Sequence, residues 1–231
     1  MKKDQIVWGL ITAKNEAKTI EDVVRRTKKY VNQVLVVNDG STDLTLPNAA
    51  AGGAVVISHP FNLGKGAAIR SGWLWLAWTQ NLRPDDLIVS LDADGQHNPD
   101  DIPLLLNQIG KYDMVIGSRD LSPYPFYKRM GNKFLSGLAS MLSKQGIKDG
   151  ECGFRCMRYE ILTDLLKVIN AQYYEIEMEI NVVAGQMGYK IGSVPVKSTM
   201  YRKGVTFRSG IKNAYAGVKT WAKIKTGWLQ W

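Results

Sequence analysis

The sequence predicts an α/β domain with a mostly parallel central sheet and helices on both faces. Strand-like and helix-like segments alternate along the chain, the pattern of a sheet wound by crossover helices. The run Leu87–Asp92 is apolar at nearly every position and stops abruptly at carboxylates, as a strand buried on both faces does. Polar and glycine-bearing segments follow directly after the strand segments, at the carboxyl ends where open α/β sheets hold ligands.

In chain order, residues 5–11 contain an apolar run and read as the first strand, and 16–30 read as the helix behind it. Residues 33–38, with Val34, Leu35, Val36 and Val37 in succession, read as the second strand. Residues 42–51 follow as a short helix that Ser41 to Asp43 can cap. Residues 54–58 are the third strand and 66–80 a helix opened by glycines. Residues 87–92 are the fourth strand, 99–109 a helix opened by Pro99, and 114–117 the fifth strand. No internal repeat, low-complexity tract or linker interrupts the alternation.

At 231 residues and 45% hydrophobic content the chain can bury one sizeable core. One domain is therefore expected over residues 1–207, with a C-terminal appendage over 208–231. The formal charge of +9 is unevenly placed: residues 191–231 hold eight Lys and Arg and no Asp or Glu, leaving the first 190 residues at +1. Such a tail seeks an anionic partner, whether a phosphate-bearing ligand, a lipid surface or nucleic acid. No recognised nucleic-acid motif accompanies it, so nucleic acid is not the expected partner. Cys152 and Cys156 stand four apart with no second pair or His beside them, and a reduced, structural role is expected. The apolar run at 6–11 is too short for the core of a signal peptide, and no stretch reaches 18 apolar residues. A cytoplasmic location is the resulting expectation.

The candidate chemistry lies after the strands. Asp92-Ala93-Asp94-Gly95-Gln96 places two carboxylates one residue apart, beside a glycine that lets the backbone bend and an amide oxygen. Asp92 and Asp94 can turn oxygens toward one hard cation with Gln96 as a neutral ligand, and Mg2+ or Mn2+ suits such donors. The alternative makes Asp92 a loop cap and Asp94-Gly95 a plain turn. Asp39 can accept a base N–H or serve as a cap. Asn62-Leu63-Gly64-Lys65-Gly66 opens a helix flanked by the cations Lys65 and Arg70, which suits phosphate, although it is neither a Walker motif nor a dinucleotide fingerprint. His97 is a candidate fourth metal ligand, but a lone His after a turn is expected to face solvent.

Five ordered motifs carry a resemblance: Val36-Val37-Asn38-Asp39-Gly40-Ser41-Thr42-Asp43, Asn62-Leu63-Gly64-Lys65-Gly66-Ala67-Ala68, Leu91-Asp92-Ala93-Asp94-Gly95-Gln96, Ile116-Gly117-Ser118-Arg119 and Gly153-Phe154-Arg155. Over residues 6–204 the chain resembles the family 2 glycosyltransferases of the GT-A fold, in particular the dolichyl- or polyprenyl-phosphate mannose and glucose synthases. The resemblance implies a metal-dependent inverting transferase that moves a hexose from a nucleotide-diphosphate sugar, of GDP-mannose or UDP-glucose type, to a polyprenyl or dolichyl phosphate. It implies donor contacts at Ala13, Asn15, Glu16, Asn38, Asp39, Lys65, Arg70, Asp92 and Ala93. It also implies Mg2+ or Mn2+ on Asp92, Asp94 and Gln96, with Asp94 essential to transfer. The family usually carries paired aspartates where this chain has Asn38-Asp39; an Asn keeps an acceptor oxygen and loses the charge.

The same resemblance implies that Arg119, Arg129 and Arg202 hold the acceptor phosphate and marks Asp149 and Glu177 as recurring acids, which beside several arginines are expected to orient them, the alternative being general-base catalysis. Guanidinium forks pair bidentately with phosphate. A phosphate monoester, with a second pKa of about 6, is largely dianionic near neutral pH and needs aiming more than deprotonation. Lys65 or Arg70, with the metal, would take up charge on the departing nucleoside diphosphate, and direct in-line attack would invert the anomeric centre. The segment Ser122-Pro123-Tyr124-Pro125-Phe126-Tyr127 is a candidate lid or else a surface connection.

Toward the C-terminus, Ile211, Ala214, Tyr215, Val218, Trp221, Ala222, Trp228 and Leu229 share one side of a helix, with Lys212, Lys219 and Lys223 opposite. Such a helix can lie peripherally in a membrane interface or pack on the domain. Two further functions stay open: a same-fold transferase with a soluble carbohydrate or protein acceptor, which needs a carboxylate base, and a non-catalytic nucleotide-sugar-binding protein.

Overall fold

The computed structural model describes residues 4–198 and 207–229. Seven strands form one sheet: β1 Val7–Ala13, β2 Gln33–Asn38, β3 Val55–Ser58, β4 Leu87–Asp92, β5 Met114–Arg119, β6 Arg155–Arg158 and β7 Ile191–Val196. Their spatial order is β3-β2-β1-β4-β6-β5-β7. All neighbours pair in parallel except β6, which runs antiparallel to both β4 and β5. Helices α1 Ile20–Thr27, α2 Thr45–Ala51, α3 Lys65–Thr79, α4 Ile102–Leu106, α5 Phe126–Ser143, α6 Tyr159–Leu166, α7 Ile176–Gln186 and α8 Phe207–Lys225 complete the described elements.

Val34 to Val37 of β2 and Leu87 to Val89 of β4 are fully buried, with Trp73 and Leu76 of α3 among the side chains that cover the sheet. Burial on both faces explains why these strands show no polar alternation. The sequence patterns placed the first five strands and missed β6 and β7. Cys156 and Met157 of β6 are as buried as the parallel strands, but Arg155 in the same strand is also buried, so a strand four residues long carries no clean pattern.

The helix expected over 16–30 is confined to Ile20–Thr27. Asn15 adopts a positive φ of 55°, and the N–H groups of Asn15, Glu16 and Ala17 donate to side chains of Ser41, Thr45 and Asp43. These bonds tie the segment to the residues after β2, and the backbone becomes helical only after Thr19, whose φ of −120° is non-helical. The helix expected over 99–109 splits into a short 3-10 turn, Pro99–Asp101, and α4, with prolines at 99 and 103 each lacking an N–H. The candidate lid at 122–127 runs straight into α5: Pro125 sits just before the first helical residue, Phe126, and its carbonyl accepts from the Lys128 and Arg129 N–H groups.

Two close contacts fix the site. A Cβ on Gly64 would lie 2.5 Å from Gln172 O, and one on Gly66 would lie 2.4 Å from Ala171 O. The glycines that open α3 therefore let the helix start press against the loop before α7, and the Ala67 N–H already donates to Gln172 O at 3.1 Å. The second contact is α8, which packs on α5 and α7. Its buried residues are Asn213, Gly217 and Thr220, with Thr220 Oγ1 donating to Glu179 Oε1 at 3.2 Å. Ile211, Tyr215 and Val218, from the side that sequence patterning marks as apolar, remain 57%, 66% and 45% exposed. Gly217 allows close approach, and Ala214, Trp221 and Ile224 pack partly buried against the core, while Ile211, Tyr215 and Val218 are left outside.

Candidate active site

The carboxyl ends of β2, β1, β4 and β5, spread in that order across the sheet, open onto one cavity of about 790 Å³. Ala13, Glu16 and Asp39 line it beside β1 and β2, and Asp92, Ala93, Asp94 and Gln96 line it after β4. Arg119 at the end of β5 comes next, and Tyr127, Phe134 and Leu135 of α5 with Ile211 and Ala214 of α8 give the remaining wall an apolar character.

Asp92, half-buried, belongs to a charge cluster whose inner members, Glu177 and Arg155, are buried. Lys65 Nζ lies 2.7 Å from Asp92 Oδ1 and 3.0 Å from Glu177 Oε1, and Glu177 also pairs with Arg155. A Cβ on Gly153 would stand 2.8 Å from Lys65 Nζ and 3.1 Å from Asp92 Oδ2, so a glycine there leaves room for the pair. Burial by itself raises the Asp92 pKa, but the Lys65 ammonium outweighs it and holds the carboxyl at about 2. Burial would lower Lys65, yet Asp92 and Glu177 together raise it and keep it charged.

Arg119 is gripped from behind. Its Nε donates to Asp149 Oδ2 at 2.7 Å and its Nη2 to Asp149 Oδ1 at 3.0 Å, while Asn132 Nδ2 of α5 donates to Oδ1 at 2.9 Å. Burial would raise Asp149; the guanidinium and these donors hold it below the usual carboxylate range. The fork is thereby fixed with one edge on Asp149 while the side chain lines the cavity.

His97 corrects the sequence expectation: it is 2% exposed, not solvent-facing. Its Nδ1 accepts the Asp92 N–H at 3.2 Å, its Nε2 lies 3.7 Å from Cys152 Sγ, and its ring stacks on Phe154 at 5.4 Å. Burial lowers its pKa to about 4, so the ring is neutral and both nitrogens are turned to protein. It braces the Asp92 turn and offers no lone pair to a metal. Cys152 and Cys156 are buried and unpaired, and burial pushes the Cys152 thiol up to about 12, an unreactive state.

The remaining residues named from the sequence divide. Ala13, Glu16, Asp39, Lys65, Asp92, Ala93, Asp94, Gln96 and Arg119 meet in the cavity. Asp39 uses Oδ1 to accept from Leu63 N at 2.8 Å and Oδ2 to accept from Gly64 N at 2.9 Å, with His59 Nδ1 also 2.8 Å from Oδ1, so it orders the loop before α3. Asn38, Asn15 and Arg70 lie outside the lining. The Asn38 amide donates to Ser58 and accepts from Ser41 N, and Asn15 Oδ1 accepts from Thr42 N, so both tie loops together. Lys128, not Arg129, faces the cavity from α5, and Arg129 is exposed; Tyr127 and Lys128 share the lining face of the helix, and the next residue is turned about 100° further round, away from it. Arg202 lies outside the described residues. Sequence reasoning did not single out Glu151, which lines the cavity and is held by Asn213 of α8; the two are 62 residues apart and no local motif joins them.

Among the described residues no group of three His, Cys, Asp or Glu side chains is placed to hold a metal. The two carboxylates and the Gln96 amide nevertheless fit a hard cation that takes its other oxygens from a diphosphate and water, the usual manner of Mg2+ in phosphate chemistry. Asp92 is kept ionised, and Asp94 Oδ1 accepts from Gln96 N at 3.0 Å, which folds the turn around the two side chains.

A family model described as "Glycosyl transferase family 2" matches residues 10–166. The chain belongs to glycosyl transferase family 2. Its sheet, helices and strand-end cavity are those of a GT-A glycosyltransferase, the fold expected from the five motifs. A UDP-N-acetylglucosamine–dolichyl-phosphate N-acetylglucosaminyltransferase of Methanococcus voltae is 30% identical over 220 residues, covering 84% of this chain and 86% of that protein. A polyprenol monophosphomannose synthase of Mycolicibacterium smegmatis is 29% identical over 230 residues, covering 92% and 85%. Glucosyl-3-phosphoglycerate synthase of Mycobacterium tuberculosis, solved with phosphoglyceric acid, superposes with a TM-score of 0.74 at 22% identity over 98% of this chain and 81% of that one. At that identity the likeness shows the fold. The same enzyme has been solved with Mn2+, UDP and phosphoglyceric acid.

Proposed function

We propose that this family 2 glycosyltransferase moves a hexose from a nucleotide-diphosphate sugar, of GDP-mannose or UDP-glucose type, to a polyprenyl phosphate, with Mg2+ or Mn2+ and inversion at the anomeric carbon. One observation carries the reading: a single cavity joins the Asp92, Asp94 and Gln96 turn, the braced guanidinium of Arg119 and an apolar wall from α5 and α8. A lipid phosphate needs those three features side by side. The relatives whose names specify dolichyl phosphate or polyprenol support the same acceptor class.

In this reading Ala13, Glu16 and Asp39 frame the nucleoside end, and Asp92, Asp94 and Gln96 would hold the metal on the diphosphate. When bound, the cation supplies Lewis-acid stabilisation of the leaving diphosphate. Arg119 aims an acceptor phosphate oxygen at the sugar C1, and Asp149 keeps its fork from turning away. Lys65 is committed to Asp92 and Glu177, so its part is to keep the turn charged and placed.

Phe126, Tyr127, Met130, Phe134 and Met141 on α5 and Ile211, Tyr215, Val218 and Trp228 at α8 are all at least 45% exposed. Together with the lysines of α8 they support peripheral attachment of residues 208–231 and α5 to an anionic membrane face. No helix among the described residues is long and apolar enough to cross a membrane.

The test is transfer of labelled sugar from each donor to polyprenyl phosphate in anionic liposomes with Mn2+. Glycolipid should form, and Asp94→Ala should lower both the rate and the metal-dependent donor affinity by more than about 100-fold, beyond the usual effect of residues behind metal ligands. Normal activity in metal-free buffer removes the metal from the reaction. Label appearing on a soluble sugar or phosphorylated acid instead favours the second reading, a soluble acceptor, which draws support from the solved neighbour's complex with phosphoglyceric acid.

A further inference from the structure

Three carboxylates, Asp149, Glu151 and Glu177, lie near the cations of the cavity, and two of them are spent. Asp149 grips Arg119 and accepts from Asn132; Glu177 pairs with Lys65 and Arg155. Glu151 differs. Its side chain lines the cavity, its Oε2 accepts from Asn213 Nδ2 at 2.6 Å, and its Oε1 is buried without a partner. Among the described residues it takes part in no ion pair. A buried carboxyl oxygen with no donor is costly unless a proton or a ligand meets it.

Granted a phosphate acceptor, as proposed above, we infer that Glu151 binds that phosphate as a neutral carboxyl, its Oε1 carrying a proton donated in a hydrogen bond to a phosphate oxygen. Arg119 and Glu151 then supply two donors of different kinds, a fixed cation and a removable proton. The surroundings favour the acid form. Burial raises the Glu151 pKa to about 7, the Asn213 hydrogen bond opposes that rise, and the charges of Glu177 on α7 and Asp149 in its own loop add to it while Arg119 on β5 offsets part. Lys65 and Lys128 share the cavity from α3 and α5. A dianionic phosphate brought against Oε1 adds further negative charge and favours the proton still more. Acceptor binding therefore takes up a proton once the free site is ionised, and acceptor affinity falls as pH rises above about 7.

The test is the acceptor KM, with a short polyprenyl phosphate in detergent, measured from pH 7 to 8.5 beside the donor KM. Above pH 7 the acceptor itself is already dianionic. In the wild type the acceptor KM should rise up to about 30-fold across that range, the limit for one linked proton, with the donor KM lacking this rise. Glu151→Gln, whose amide donates at every pH, should flatten the acceptor profile, and Glu151→Ala should give a flat profile at a raised KM. Asn213→Ala, which removes the donor that steadies the carboxylate, should move the onset of the rise to higher pH. That variant tests the assignment even if position 151 tolerates no change. A rise that persists unchanged in Glu151→Gln, or an onset that moves to lower pH in Asn213→Ala, overturns this inference alone. Absence of transfer to polyprenyl phosphate by the wild type overturns it together with the acceptor reading.

Discussion

Lys65→Met should destabilise the protein heavily, although Lys65 stands in a cavity where a purely ligand-binding lysine could be removed at little cost. In the native cluster Lys65 and Arg155 balance Asp92 and Glu177, with Glu177 4% and Lys65 15% exposed at their side chains. Removing Lys65 leaves two carboxylates against one guanidinium. Breaking a buried pair by deleting one partner costs about 3–5 kcal/mol, which for a chain of this size lowers Tm by about 6–20 °C. With its ammonium gone, burial dominates Asp92 and its pKa rises. The double variant Lys65→Met with Glu177→Gln restores balance, one carboxylate against one guanidinium, and should be more stable than Lys65→Met alone. Urea unfolding monitored by tryptophan fluorescence measures all three. A single variant within about 1 kcal/mol of the wild type would refute the cluster's structural role, as would a double variant no more stable than Lys65→Met.

Other consequences are simpler. Gly66→Ala places a methyl about where Ala171 O already lies, 2.4 Å away, and should cost about 1–3 kcal/mol by overpacking; unchanged urea midpoints would show that the loop before α7 yields freely. In acid, Asp92 contributes stability because its folded value, about 2, lies below its unfolded value near 3.8. That contribution is complete above pH 4 and is lost as pH falls through about 2, so an Asp92→Asn variant should show a shallower loss of stability between about pH 4 and 2.

Much of this was legible in the order of residues. Val34 to Val37 and Leu87 to Leu91 sit inside the sheet, away from its edges, because a nearly continuous apolar strand is stable only with both faces covered. Asp39, Asp92 and Arg119 then had to meet, since each lies at or just beyond the carboxyl end of a strand in one sheet. What the linear order did not disclose is which neighbours use each polar side chain. Asn38 and Asn15, expected at the donor, lie outside the cavity lining and hydrogen-bond with Ser58, Ser41 and Thr42. His97 looks like a surface residue until the Asp92 N–H and the Phe154 ring enclose it.

The linear order alone determined the α/β class and the acidic turn after β4, because periodicity and strand termini are local properties, and its five ordered motifs carried the resemblance to the GT-A fold. Only the folded chain decided which carboxylates are free. Asp149, Glu151 and Glu177 all carry a carboxylate, and they differ because Arg119, Asn213 and Lys65 arrive from β5, α8 and α3. The folded chain also decided which face of α8 is buried: Asn213, Gly217 and Thr220 are buried against the domain with Trp221 and Ile224 packed beside them, and Ile211, Tyr215 and Val218 stay exposed. Ionisation and packing depend on what surrounds a residue, and those surroundings come from segments that lie far away along the chain.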